Sequence, residues 1–124
     1  MVSKTRADRI GRRIQEELSE LLIFSVTDPR LQGVYLTDVK VDSELSFASV
    51  FVSALDSERK DEILEGFNSA AGFLRSRLAQ RIDLRTVPQL RFNWDPTPEN
   101  AERIERLIAS LHDEAESDPD DTDA

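Results

Sequence analysis

Residues 69–78 have the sequence SAAGFLRSRL, and whether this stretch forms one helix or two decides the fold. It lies within an apolar stripe of helical spacing that keeps its phase on both sides of Gly72. The stripe consists of Ile63, Phe67, Ala71, Leu74 and Leu78. A glycine inside a helix costs about 1 kcal/mol relative to alanine, so its presence needs a reason. We predict two helical pieces that share one buried face and meet at a bend; the alternative is close packing against the glycine.

Outward from this region, a pair of strands precedes the central helix. Residues 34–41 and 45–54 have strand character, and the short polar link 42–44 between them suits a hairpin. In the second strand, one face is small and branched, whereas the other carries two phenylalanines. The first face consists of Ala48, Val50 and Val52, and the second of Phe47, Ser49 and Phe51. We expect the smaller face to pack under helices.

A third strand follows the central helix, and a helix lies at each end of the domain. Val87-Pro88 ends the central helix, and residues 90–95 alternate between large apolar and polar side chains. Residues 3–27 and 99–112 carry apolar stripes of helical spacing. The resulting order is α-β-β-α(kink)α-β with a C-terminal helix. We therefore predict an α+β domain with a three-stranded sheet covered by helices on one face.

Length and composition limit the class of protein. A chain of 124 residues favours a single domain, and no apolar run is long enough to cross a bilayer. The absence of cysteine excludes a disulfide framework and thiolate chemistry. After His112 the sequence contains seven acidic residues and no basic one. We predict a folded domain over residues 1–111 and an acidic, disordered tail over residues 112–124, in a protein of the cytoplasm without membrane association.

The net charge of −9 is unevenly distributed along the chain. Without the acidic tail, residues 1–112 carry 18 acids and 16 bases. Residues 4–13 and residues 75–91 each carry five bases against a single acid. Local patches, rather than the average charge, decide which partners approach a surface. The two basic segments therefore favour a polyanionic partner, although one turn of arginines is also typical of a solvated helix face.

The sequence offers little for catalysis. His112 is the only histidine, and no other residue lies at a spacing typical of a shared metal site. No pair of carboxylates has a spacing that singles it out for acid–base work, and no glycine-rich phosphate loop occurs. We therefore predict that the protein is not an enzyme and needs neither a cofactor nor a metal ion.

A helix bend followed by arginines predicts a surface for nucleic acid, because backbone amides at a helix break point outward and favour anions. We expect the bend and the arginines after it to form one RNA-facing surface: Ala70, Ala71, Gly72, Arg75, Arg77, Arg81 and Arg85. The N-terminal bases extend it: Lys4, Arg6, Arg9, Arg12 and Arg13. Phe47 and Phe51 can stack nucleobases on the open sheet face. Alternatively, their rings cover the surface of the sheet or contact a partner protein.

Several segments together resemble the bacterial ribosome-binding factor A family. They are RADRIGRRIQEEL (6–18), DPRL (28–31), VKVDSELSFASVFVS (39–53), AAGFLRSRLAQRIDLRTVPQLRF (70–92) and NWD (93–95). The resemblance covers residues 4 to about 111 and implies a KH-like fold of type II, in which a helix comes first. An ordinary KH domain has a Gly-x-x-Gly loop, whereas this chain, like the family, has Ala70-Ala71-Gly72 as an Ala-x-Gly kink. Contact with folded rRNA is therefore expected, rather than ordinary single-strand binding.

The resemblance also implies a non-catalytic assembly factor. Members of the family bind the immature 30S ribosomal subunit, assist late maturation and processing of its 16S rRNA, and leave when maturation is complete. A ribosome-associated GTPase is implicated in their release, and their loss typically harms growth in the cold. We expect a cytoplasmic monomer of this kind. The alternatives are a protein-interaction module that uses Phe47 and Phe51, and a KH-type RNA-binding protein unrelated to ribosomes.

Overall fold

The computed structural model describes residues 1–117, with side chains through Asp113. The elements, in chain order, are α1 (Lys4–Phe24), β1 (Tyr35–Val41), β2 (Phe47–Ser53), α2 (Lys60–Arg81), β3 (Gln89–Trp94) and α3 (Thr97–Ser117). Single 3-10 turns at Pro29–Leu31 and Ser57–Arg59 precede β1 and α2. Within residues 1–117, every helix is too short or too polar to cross a membrane.

The first helix begins at a capping serine and lies against the edge strand of the sheet. The Ser3 hydroxyl accepts a hydrogen bond from the Arg6 amide at 3.1 Å, which satisfies a free amide of the first turn. Gly11 allows the close approach to β1, because a Cβ at this position would lie 2.6 Å from the Val39 carbonyl oxygen. α1 ends at Phe24, three residues before the end predicted from the sequence.

The sheet has the strand order β1-β2-β3, with β2 in the middle. β1 and β2 form the predicted antiparallel hairpin, in which Val39 pairs with Val50. β3 pairs with β2 in parallel, and Phe92 lies beside Val50. A parallel neighbour needs a long crossover, which α2 provides between β2 and β3. The return of the third strand to the sheet is therefore confirmed.

The core lies between one face of the sheet and the helices α1 and α2. The predicted inner face of β2 is completely buried, as are most of the residues of the predicted stripe on α2. The Phe67 ring of α2 stacks on the Phe92 ring of β3 with centroids 4.5 Å apart. The buried residues of the two faces are Ala48, Val50, Val52, Ile63, Phe67, Leu74 and Leu78. The prediction of an α+β domain with helices on one sheet face is thus confirmed.

The central helix corrects one prediction. α2 is a single helix of 22 residues that continues through Gly72, so the two separate helical pieces predicted from the sequence are wrong. In the interior of a helix each amide bonds to the carbonyl four residues earlier, and the free amides expected at a break are therefore not available. The alternative of close packing is also excluded, because, apart from the neighbouring backbone of the helix itself, no atom of the described residues lies within 4 Å of a Cβ built on Gly72.

The last helix is longer than predicted and stands apart from the core. α3 runs to Ser117 and includes the first residues of the segment predicted as a disordered tail. Residues 118–124, which complete that predicted tail, lie outside the described residues. Each side chain of the apolar stripe of α3 is more than half exposed. The exposed fractions are 55% for Ile104, 59% for Leu107, 61% for Ile108 and 64% for Leu111.

Candidate nucleic-acid interface

The N-terminal basic cluster is divided between two sides of α1. Lys4 and Arg12 line a groove of about 740 Å³ between α1 and the edge strand β1, together with Asp8 and Asp38. The other three bases lie on the side of α1 that faces the end of α2. The helical spacing explains the division, because residues 4, 8 and 12 share a face that residues 6, 9 and 13 do not.

The structure brings the two basic segments of the sequence together. α1 contributes Arg6, Arg9, Ile10 and Arg13 to a groove of about 510 Å³, and the end of α2 and the loop after it contribute Arg81, Ile82, Asp83 and Leu84. We call this the arginine groove. Its three aliphatic side chains are half-buried and form the floor, whereas the four arginines are exposed at the rim.

Two of the four arginines are already paired within the protein. Arg81 Nη1 lies 3.1 Å from Glu17 Oε2 and 3.2 Å from Glu20 Oε1, and Arg13 Nη1 lies 2.8 Å from Glu17 Oε1. Only 9% of the Glu17 surface is exposed. Because it pairs with Arg81, Glu17 links α1 to the end of α2. The hydrogen bond that Arg81 donates to Glu17 is the main reason why the pKa of Arg81 is raised. Arg81 therefore connects the end of α2 to α1, whereas Arg13 pairs with Glu17 on its own helix; the sequence prediction anticipated neither contact.

Arg6 and Arg9 have a different environment. Both are exposed, and among residues 1–113 neither has a carboxylate oxygen within the 4.0 Å expected for an ion pair. Their guanidinium groups therefore present their hydrogen-bond donors to solvent. These two residues supply the available positive potential of the arginine groove.

A second depression continues the basic surface along α2. Gly72, Arg75 and Arg85 line a space of about 520 Å³, which Leu84 separates from the arginine groove. Arg75 donates hydrogen bonds from Nη2 and Nε to the Val87 carbonyl at 2.7 and 3.2 Å, and so fixes the loop before β3. Arg85 is exposed and also borders a small depression beside Arg6. The surface is therefore continuous from Gly72 through Arg85 to Arg6.

The remaining predicted site residues contribute less to this surface. Ala70 and Ala71 are half-buried on α2. Arg77 is exposed, and its guanidinium carbon lies 5.2 Å above the centroid of the Phe73 ring on the same helix. The structure thus groups Arg6, Arg9 and Arg85 with Gly72, and assigns intramolecular contacts to Arg13, Arg75 and Arg81.

The open face of the sheet carries two cations that the sequence prediction missed. Arg91 of β3 lies with its guanidinium carbon 3.6 Å above the Phe47 ring, and Lys40 of β1 places its amine 5.7 Å from the Phe51 centroid. The strand register brings these neighbours together across β2. The alternation along β1 and β3 could have indicated which side chains share the open face. The register that places each cation beside its ring could not be predicted from the sequence.

A hydrogen-bonded joint connects the sheet to α3. The Thr37 hydroxyl of β1 donates to Asp95 Oδ2 at 2.6 Å, and the Thr97 amide donates to Asp95 Oδ1 at 2.9 Å. The hydrogen bond from Thr37, followed by those from Thr97, lowers the pKa of the Asp95 carboxyl. Asp95 therefore fixes the start of α3 at one end of the sheet.

The arrangement suits the binding of phosphates. Within the described part of the chain, no group of three or more histidine, cysteine or acidic side chains can hold a metal ion. The exposed arginines and the open helix surface at Gly72 offer donors and a close approach to a backbone of phosphates. Contacts of this kind position a nucleic acid without reading its sequence.

Comparison with known proteins agrees with these observations. The family described as ribosome-binding factor A matches residues 6–108. Ribosome-binding factor A of Finegoldia magna is 44% identical over 112 residues, which cover 88% of this chain and 93% of the relative.

Two solved structures are similar over most of the domain. The crystal structure of ribosome-binding factor A from Thermus thermophilus matches with a TM-score of 0.65 and 26% identity, over 71% of this chain and 93% of that one. A homology model of the same Thermus protein, fitted into the cryo-electron microscopy map of a 30S–RbfA complex, matches with a TM-score of 0.62 and 26% identity, over 73% and 96%. The fold is thus KH-like, with the helix first. On the extent of the sequence match, the chain belongs to the ribosome-binding factor A family.

Proposed function

We propose that the chain binds the immature small ribosomal subunit through its 16S rRNA and assists late maturation and processing of that rRNA without catalysis of its own. The observation that carries this proposal is the continuous basic surface from Gly72 through Arg85 to Arg6 and Arg9. Exposed arginines on a rigid helical layer suit a folded rRNA, whose phosphates lie in fixed positions.

Family membership supports the choice of partner. The Thermus relative is known in a complex with the 30S subunit, and its fold corresponds to that of this chain over 96% of its length. A factor that binds an immature subunit must leave before translation, and we propose that a ribosome-associated GTPase assists this release. Ribosomes assemble in the cytoplasm, where we expect the protein to act as a monomer and to matter most for growth in the cold.

The test replaces the two unpaired arginines of the groove. We expect Arg6→Gln combined with Arg9→Gln to weaken binding to immature small subunits by about tenfold, because two phosphate contacts are lost, and to lower the slope of log affinity against log salt by about 2. Lys60→Gln combined with Arg106→Gln removes the same charge outside this surface and serves as the control. Subunit affinity is measured by sedimentation, and circular dichroism checks the fold of each variant.

Equal loss of affinity in the two double variants would contradict this interface, because the effect would then follow total charge. Sucrose-gradient sedimentation of a cell extract tests the partner itself. Migration with small subunits, but not with translating ribosomes, is the expected result. A stable complex with another protein that survives nuclease would instead favour the protein-interaction alternative.

A further inference from the structure

The most unusual feature outside the basic surface is the unpartnered apolar stripe of α3. Its four large side chains recur at intervals of three and four residues, and each is more than half exposed. A stripe of this spacing is the pattern by which an amphipathic helix enters an apolar groove. The stripe therefore fits a complementary apolar groove, which lies either elsewhere on this chain or on a partner.

The arginine groove has the complementary chemistry. Its floor is formed by Ile10, Ile82 and Leu84, and its rim carries Arg6 and Arg9 without carboxylate partners among the described residues. The C-terminal part of α3 offers the opposite charge, since its last five residues contain Asp113, Glu114 and Glu116 and no basic residue. Apolar contact and charge attraction thus favour the same pair of surfaces.

The length of α3 fits this groove. α3 starts just after the end of β3, whereas the loop that contributes Ile82 and Leu84 leads into the start of β3. β3 has six residues and spans about 20 Å. Leu111 lies about 21 Å along the helix from Thr97 at a rise of about 1.5 Å per residue. A helix that returned along β3 would therefore bring Leu111 to the level of the groove.

The strand order leaves room for this return. β3 is an edge strand, so no further strand occupies the side along which α3 would lie. Asp95 and Pro96 separate β3 from α3, and rotation at this joint sets the direction of the helix. Asp95 bonds to both Thr37 of β1 and Thr97 of α3, so a change in the direction of α3 must break one of these two hydrogen bonds.

We propose that α3 of the same chain folds back along β3 and binds the arginine groove. In this state Leu107, Ile108 and Leu111 pack against Ile82 and Leu84, and the last turn of α3 lies near Arg6 and Arg9. The groove would then be shared by two occupants, the chain's own acidic helix and rRNA, and each would exclude the other. This competition rests on the proposed function, whereas the docking of α3 does not.

Disulfide trapping tests the docking without any RNA. Because the chain has no cysteine, a pair introduced as Asp83→Cys and Ser110→Cys reports only on the distance between these two exposed positions. We expect mild oxidation to give a cross-linked monomer. The pair Ser25→Cys and Ser110→Cys, with Ser25 at the far end of α1, is the matched control and should stay reduced. A cross-linked dimer would assign the groove to α3 of a second copy, and an unreacted test pair would refute docking; either result overturns the proposal.

A second measurement tests the competition. Leu107→Ser combined with Leu111→Ser weakens the apolar contact and should tighten binding to immature small subunits by about three- to tenfold, as expected when about 70–90% of the free protein is docked. Ala109→Ser, on the other side of α3, is the control and should leave the affinity unchanged. Unchanged affinity in the double variant would overturn the competition. If the cross-link forms but the unmodified chain does not bind subunits, the proposed function fails while the docking of α3 stands.

Discussion

At the scale of single residues, two glycines inside helices have opposite roles. At Gly11 a Cβ would lie 2.6 Å from the Val39 carbonyl oxygen, so glycine is required for the contact between α1 and β1. At Gly72 a Cβ would meet no atom within 4 Å among residues 1–117, apart from the adjacent backbone of its own helix. The cost of a helix glycine at position 72 is therefore not explained by the packing of the domain, and it is consistent with a partner that approaches the helix backbone there.

The change Gly72→Ala separates stability from binding. We expect the free energy of unfolding to rise by about 1 kcal/mol, because alanine is the better helix former and its methyl group meets open space. We expect binding to immature subunits to weaken, because the methyl group occupies the surface beside Arg75 and Arg85. Urea unfolding and subunit sedimentation give the two values. Asn68→Ala, exposed on the same helix, should raise stability with no loss of binding. A stabilised Gly72→Ala protein that binds normally would remove this position from the interface.

The arginines illustrate what a sequence can and cannot predict about a site. The two basic segments were predicted from charge alone, and they do meet at one groove. Which of these arginines make intramolecular contacts was not predictable, because the contacts of Arg75 and Arg81 are to residues at least 12 positions away in the chain. Arg81 pairs with Glu17, which lies 64 positions earlier, and Arg75 bonds to the Val87 carbonyl. Only the folded chain reveals that these two arginines hold the structure together.

At the scale of elements, periodicity predicted most of the fold. The alternation in β2 assigned Ala48, Val50 and Val52 to the buried face, and all three are 0% exposed. The division of the central helix into two pieces was wrong because helix propensity is a weak preference that the rest of the helix overrides. The length of α3 was underestimated because acidic residues in a helix end cannot be told from those of a tail by composition alone.

The joint between β3 and α3 gives a prediction about pH. The pKa of Asp95 is lowered in the folded protein, mainly by the Thr37 hydrogen bond, relative to an ordinary value of 3.8. Its contribution to stability is therefore complete above the unfolded pKa and is lost as the pH falls below about 4 toward the folded pKa. We expect Asp95→Asn to be less stable than the unmodified chain at neutral pH, with a difference that shrinks at acidic pH.

Urea unfolding of the unmodified chain and Asp95→Asn between neutral pH and about pH 3 measures this difference. Asp61→Asn, an exposed change in the first turn of α2, serves as the comparison for a carboxyl without the Thr37 contact. A stability difference for Asp95→Asn that is constant over the whole range would contradict the proposed role of its ionised form.

At the scale of the whole molecule, the segregation of charge matters more than its sum. The chain carries −9 overall, yet seven acidic residues and no basic one follow His112, while Arg6, Arg9 and Arg85 lie on one continuous surface. A polyanion therefore meets a positive surface although the protein as a whole is repelled. The same segregation makes the acidic end of α3 a natural competitor for that surface.

Binding to immature subunits should accordingly depend steeply on salt. If about five cations, for example Lys4, Arg6, Arg9, Arg12 and Arg85, contact phosphates, the affinity should fall by about a hundredfold or more between about 50 and 200 mM salt, because each contact releases a counterion. Sedimentation with purified immature subunits over this range measures the slope.

Two effects act on the slope in opposite directions, since salt also weakens the attraction between the acidic end of α3 and the groove. The Leu107→Ser, Leu111→Ser variant should therefore bind more tightly at low salt and show a steeper decline than the unmodified chain. A flat dependence in both proteins would mean that apolar contact with a ribosomal protein, rather than phosphate contact, holds the complex.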